Sequence, residues 1–356
     1  MFRKKFNLHG IVRMELFTER QSTVQEIMYH LSEMEAPKDN GEVDIVLRDY
    51  SEKPALPEAL SIEGYYFYKE GVLDVPPYRL CFDLKSFPLR VWSDHFVLPV
   101  NFLIEVALLR KGYTFLHSAG VRWRGRNLLF PAHGGTGKTA LVTGLMKKGA
   151  KLFGDDLIII GNGRVLGYPQ DFSVYPYHVS LLGLEEAALG RTFRRDAILD
   201  FMVRLTGSSD RFVWRAIRSV FSRLKTRCVN VPPRVIFGSD AFASAGAIDG
   251  IFFLSRHQET QKTISIVSED PSVLTKKCVN ILLMEWHHSS RFLYLYGALA
   301  GFSPAELDQQ ASAILDRAFR SAPCATIHVP ATFSVDELQQ QVIEKLAEVG
   351  APFPCP

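Results

Sequence analysis

The strongest chemical signal in the chain is eight consecutive residues, Ala132-His133-Gly134-Gly135-Thr136-Gly137-Lys138-Thr139. They match the phosphate-binding pattern G-x-x-x-x-G-K-[ST] everywhere except the first position, where Ala132 stands in place of glycine. Gly134, Gly135 and Gly137 keep Cβ atoms out of the loop, so backbone N–H groups can converge on phosphate oxygens. The ammonium of Lys138 suits the β- and γ-phosphates of a nucleotide, and the hydroxyl of Thr139 suits Mg²⁺. A helix starting near Lys138 would add the positive end of its dipole. The residues expected to line a nucleotide are therefore His133, Gly134, Gly135, Thr136, Gly137, Lys138, Thr139 and Ala140, with His133 contributing its backbone.

Two adjacent carboxylates, Asp155 and Asp156, follow Lys138 by about 17 residues and sit between apolar, strand-like runs. Such a pair suits divided labour: one carboxylate holds Mg²⁺, the other takes a proton from an attacking hydroxyl. Phosphoryl transfer needs mainly positioning and charge neutralisation, so this small set suffices in kind. His117, in Leu116-His117-Ser118-Ala119-Gly120, lies on a strand that a hairpin would return toward the loop. There an imidazole could hydrogen-bond a carboxylate or a phosphate.

Positioning these groups requires a set of local elements. Phe115–Trp123, the turn Arg124-Gly125-Arg126 and Asn127–Pro131 read as a β-hairpin. A helix then runs to Lys148, with Gly149 closing it. Lys151–Gly154 and Leu157–Ile160 read as strands around the aspartates. Further strands are expected at Val43–Leu47, Tyr65–Tyr68, Arg79–Leu84, Arg234–Phe237, Gly250–Leu254, Thr263–Val267 and Thr326–Val329. Helices are expected at Thr23–Met34 and near 100–111, 271–286, 303–320 and 334–348. Alternation of strands and helices predicts an α/β sheet with helical cover. A smaller N-terminal α/β region, 1–100, is expected to precede a nucleotide-binding domain over 101–356.

Bulk properties exclude several classes. The net charge of +3 gives no general attraction to nucleic acid. Five scattered cysteines without a C-x-x-C pair point to reduced thiols rather than a disulfide framework or zinc site. The apolar segment Val97–Leu109 is interrupted by Asn101 and Glu105 and is too short to span a bilayer, so a cytoplasmic protein is expected. The absence of N-K-x-D disfavours a GTPase, and the absence of L-S-G-G-Q disfavours an ABC-type ATPase.

In this order and spacing, His117-Ser118-Ala119-Gly120, Ala132–Thr139 and Asp155-Asp156 resemble HPr kinase/phosphorylase and its bacterial relatives. The resemblance covers roughly residues 113–170, about a sixth of the chain. It implies a mixed-sheet core with a phosphate loop, of the type shared by phosphoenolpyruvate carboxykinases and HPr kinases. It implies ATP and Mg²⁺ as cofactors and transfer of the γ-phosphoryl group to a hydroxyl, on a protein or peptide serine or a small molecule. By the same resemblance Asp155 is the base, His117 supports it, Lys138 is catalytic, and Asp156 and Thr139 stand on the metal side. Beyond Tyr168-Pro169 the family's protein-substrate loop is not recognisable, and the basic residue found there in related proteins is missing from 170–181.

A further feature is basic. Residues 191–227 hold ten Lys or Arg against three Asp, interleaved with Phe212, Trp214, Ile217 and Phe221. Arg211, Arg215 and Arg218 share one helical face, which suits an acidic or phosphorylated acceptor. This reads as a basic helical insertion at about 185–230. The competing reading of the whole chain is a regulatory nucleotide-binding protein with little or no kinase activity, or a carboxykinase-like enzyme. The oligomeric state is left open, a homo-oligomer included.

Overall fold

A computed structural model of the chain describes residues 1–95, 97–174, 229–257, 263–301 and 303–348. The Arg-rich segment, with Arg211, Arg215 and Arg218, lies outside the described residues. The chain divides into two compact units, Met1–Gln170 with Ala241–Pro356, and Asp171–Asp240.

The larger unit carries two mixed sheets. The first contains β1 (Phe2–Leu8), β2 (Val12–Thr18), β3 (Ile45–Arg48), β4 (Leu60–Ile62), β5 (Tyr66–Lys69), β6 (Val72–Val75), β7 (Leu80–Asp83) and β8 (Leu89–Ser93), in the order β1-β2-β3-β8-β7-β6-β5-β4. Its parallel pairs are β2 with β3 and β3 with β8. Helix α1 (Gln21–Leu31) and helix α2 (Val97–Leu109) pack on this sheet. Val100, Leu103, Ile104, Val106, Ala107 and Leu108 are all buried, as a helix that is apolar all round must be. Because α2 also touches the second sheet, one core joins Leu16, Ile45, Leu47 and Val91 to Ile104, Phe115 and Ile159.

The second sheet positions the chemistry. Its strands are β9 (Tyr113–Trp123), β10 (Arg126–Pro131), β11 (Lys151–Gly154), β12 (Leu157–Gly161), β13 (Arg164–Leu166), β16 (Ala245–Ala247), β17 (Gly250–His257), β18 (Ser265–Ser268) and β19 (Cys324–Pro330). They follow the order β16-β13-β12-β9-β10-β17-β19-β18, with β11 also pairing β9. The β9–β10 hairpin turns at Arg124 and Gly125, both at positive φ. Side chains alternate across the pleat: Phe115, Leu157 and Ile159 enter the core shared with α2. Leu116, Ile158 and Ile160 enter a second core with Leu274 and Ile281 of α5 (Pro271–Glu285) and with Leu315 and Phe319 of α7 (Pro304–Phe319). Helix α3 (Lys138–Lys147) follows β10, α6 (His287–Ala300) follows α5, and α8 (Val335–Glu348) closes the described chain against α3.

In the smaller unit, β14 (Phe172–Val174) pairs with β15 (Val229–Val231) and α4 (Pro233–Phe237) follows. The segment Arg234–Phe237, read as a strand from its apolar content, is therefore helical; Pro233 at its first turn is preorganised for that. Among the described residues, no helix is long and apolar enough to cross a membrane.

Candidate active site

Register along β9 explains why distant residues meet. Pro131, the last residue of β10, pairs with Ser118, and Leu157, the first residue of β12, pairs with the neighbouring His117. On the β11 side, Gly154 pairs with Gly120. Asp155 and Asp156 thus bridge two strands that share one long partner, and the N–H of Ser118 bonds to the carbonyl of Asp156 at 3.1 Å. The step is tight: a Cβ on Gly154 would lie 2.4 Å from the carbonyl oxygen of Leu157 and 3.1 Å from that of Tyr168, so glycine is required there.

The loop from Ala132 to Gly137 leaves the same end of the sheet and enters α3. Gly137 caps the helix with φ +105°, and the N–H of Leu141 bonds back to its carbonyl at 3.0 Å. Ala132 is fully buried and is not among the positive-φ residues, so the departure from glycine there is sterically neutral. Gly134 and Gly135 are exposed and face open space, as a phosphate cradle needs. The Thr136 hydroxyl stays in the loop, donating to the His133 carbonyl at 2.8 Å. Ala140 is buried, and its carbonyl accepts from Gln339 of α8 at 2.6 Å.

Lys138 is buried and points inward. Its ammonium lies 2.8 Å from the Ala132 carbonyl, 3.3 Å from the His133 carbonyl and 2.9 Å from Nε2 of His117. Burial lowers its pKa, against the pull of Asp156, Asp155 and Glu285. His117 is also buried, and burial lowers its pKa too, opposed first by Asp156.

The two aspartates sit in different surroundings. Thr139 donates its hydroxyl proton to Asp155 Oδ2 at 2.7 Å, while Asp155 Oδ1 is shielded from solvent and has no hydrogen-bond partner among the described residues. Loss of water pushes the Asp155 carboxyl up to about 7; the Thr139 hydrogen bond opposes this, the Asp156 charge adds to it, and Lys138 opposes it. Asp156 projects outward, with its side chain 65% exposed and Oδ1 3.5 Å from His117 Nε2. By family resemblance Thr139 goes with Asp156 and His117 with Asp155, but the geometry joins the opposite pairs. Asp155 and Asp156 form the bend between β11 and β12, and the register placing Leu157 beside His117 brings Asp156 next to the imidazole.

Two neighbours were not legible from motif reading. Glu285, the last residue of α5, lies 4.0 Å from His117 Nε2 through Oε1, and it carries a negative charge at the negative end of a helix dipole. That electrostatically awkward placement is its one local signal, and it is visible only once the helix end is known. Leu338 of α8 presses on the loop: its Cδ1 lies 2.9 Å from where a Cβ on Gly137 would be.

The donor set fits Mg²⁺ in kind, with the Thr139 hydroxyl and the Asp155 carboxylate, one of whose oxygens is shielded and unpartnered. Among the described residues no three His, Cys, Asp or Glu side chains are grouped to hold a metal. An ion here would take the rest of its ligands from phosphate and water, which is the usual way Mg²⁺ binds.

No family model matches the chain, and no curated protein matches it. Among solved structures, it is similar to the Hpr(Ser) kinase/phosphatase from Coxiella burnetii. The match covers 67% of this chain and 99% of that one, at 10% identity and a TM-score of 0.30.

Proposed function

We propose that this protein is an ATP-dependent phosphotransferase, built on a phosphate-loop core of the phosphoenolpyruvate carboxykinase and HPr kinase type. It moves the γ-phosphoryl group of ATP to a hydroxyl, on a protein or peptide serine or a small molecule. One observation carries this reading. A lysine at a glycine-loop helix start, a threonine–carboxylate pair and a histidine–carboxylate pair converge at one end of one sheet.

The roles follow from the surroundings. Backbone N–H groups of Gly134 to Thr139 bind the β- and γ-phosphates, and Lys138 supplies the charge. Thr139 and Asp155 would hold Mg²⁺, which would supply charge neutralisation on the phosphates. Asp156, exposed to an incoming acceptor and steadied by His117, takes the hydroxyl proton as the oxygen attacks. Pairs of carboxylates in unlike environments commonly divide acid–base and electrostatic work in this way.

The test is to incubate the protein with γ-labelled ATP, Mg²⁺ and a lysate of its host, and to follow the label. Label appearing on an acceptor in a stable phosphoester supports the kinase. ATP bound without turnover supports the regulatory protein instead.

A further inference from the structure

The ammonium of Lys138 has three N–H donors, and three acceptors already surround it: two loop carbonyls and His117 Nε2. A phosphate oxygen would be a fourth acceptor, so one existing bond must break. The carbonyls of Ala132 and His133 belong to the loop whose shape the phosphate requires. Imidazole is neutral, and a charge-assisted bond to phosphate outcompetes a bond to a neutral acceptor. His117 is therefore the partner that yields.

Losing the lysine leaves His117 Nε2 in an untenable place. Its lone pair would face Asp156 Oδ1 at 3.5 Å and Glu285 Oε1 at 4.0 Å, acceptor against acceptor. An N–H on that nitrogen turns the repulsion into a hydrogen bond. Glu285 has no role in the phosphate-loop motif, yet apart from His117 its side chain makes no hydrogen bond or ion pair among the described residues.

We propose that nucleotide binding switches His117 from acceptor to donor: the phosphate takes Lys138, and Nε2–H then turns to Asp156 and Glu285. The ring exchanges tautomer through solvent, releasing the proton on Nδ1 and gaining one on Nε2, so its charge does not change. His117 is a positioning residue that orients Asp156 only when the triphosphate is in place, which protects the enzyme from acting before its donor arrives. This rests on the nucleotide-binding reading above.

Histidine-selective ¹⁵N labelling reads both ring nitrogens directly by NMR, with the His117 signal assigned from H117Q, or from H117F if that variant does not fold. Without nucleotide, His117 Nε2 should resonate as an unprotonated acceptor. With AMPPNP and Mg²⁺ it should move to the N–H range and Nδ1 should move the other way. In Lys138→Met the N–H form at Nε2 should already be present without nucleotide. Calorimetry on the same samples separates the failures. Bound AMPPNP with Nε2 unchanged, or K138M with Nε2 still an acceptor, overturns the switch and leaves the kinase reading standing. No binding to the wild type overturns both.

Discussion

Thr139 donates its hydroxyl proton to Oδ2 of Asp155 across 2.7 Å, tying the first turn of α3 to the residue that follows β11. The bond spans the two segments that the sequence separates by a helix and a strand, and in the proposed function it puts Asp155 beside Thr139 on the metal side. Thr139→Val removes the donor and leaves both oxygens of a shielded carboxyl unpaired, a cost of about 1–3 kcal/mol in stability. Mg²⁺ should then strengthen ATP binding about tenfold less than in the wild type, a loss of about 1.4 kcal/mol. Titrations with and without Mg²⁺ check this. Equal Mg²⁺ enhancement in both proteins would remove Thr139 from the metal side.

Asp156 carries a different expectation because its side chain faces outward beside His117. Asp156→Asn should cut phosphoryl transfer by about 10²–10⁴-fold, the usual contribution of a positioned base. ATP affinity should stay within about threefold, under 1 kcal/mol. Should Asp155→Asn instead abolish transfer with Mg²⁺ affinity intact, the two roles are exchanged.

Gly137 is confined both by backbone and by space. Its φ of +105° disfavours any side chain, and a Cβ would meet Leu338 Cδ1 at 2.9 Å. Gly137→Ala should cost about 1–3 kcal/mol of strain and weaken nucleotide binding through the loop. Adding Leu338→Ala should recover the steric part and leave the backbone part. Thermal melts and nucleotide titrations that match the wild type in the single variant would refute this account of the loop.

Glu105 gives the fold a pH signature away from the site. Buried in α2, it accepts hydrogen bonds from the Thr114 hydroxyl at 2.5 Å and the Phe115 N–H at 2.7 Å. Desolvation nevertheless moves its pKa from an ordinary 4.5 to about 8; the two hydrogen bonds act in the opposite sense. The folded chain thus holds a proton that the unfolded chain releases between those values. Stability from this group is full below the unfolded pKa and falls as pH rises through the window. Urea melts from pH 5 to 8 should therefore show a downward slope that flattens in Glu105→Gln. An equal slope in the variant would locate the dependence elsewhere.

Much of the second sheet was readable because its cues are local. The Arg124-Gly125 turn, the glycines before Lys138 and the apolar runs around Asp155-Asp156 each fix a neighbouring stretch of chain. The first sheet was less legible. Strand β1 alternates weakly, since Arg3, Lys4 and Lys5 lie partly exposed and only Phe6 and Leu8 are buried. Helix α6 was not anticipated: its apolar stripe, Phe292, Leu293 and Tyr296 continued by Leu299 and Ala300, begins only after the polar run His287–Arg291. Within the site, the residues were visible but their pairing was not. Which aspartate meets Thr139 depends on how β11 and β12 register along β9, and Glu285 arrives from a helix about 150 positions beyond Lys138. Such relationships are set by tertiary packing, for which a local motif holds no record.

A calorimetric titration with Mg·ATP tests most directly whether the loop from Ala132 to Thr139 grips a triphosphate. The wild type should bind one nucleotide saturably, and Lys138→Ala should bind at least about 100-fold more weakly, a loss near 2.7 kcal/mol, while still melting cooperatively. Absence of binding in the wild type, or equal affinity in the folded variant, would contradict the proposal at its base.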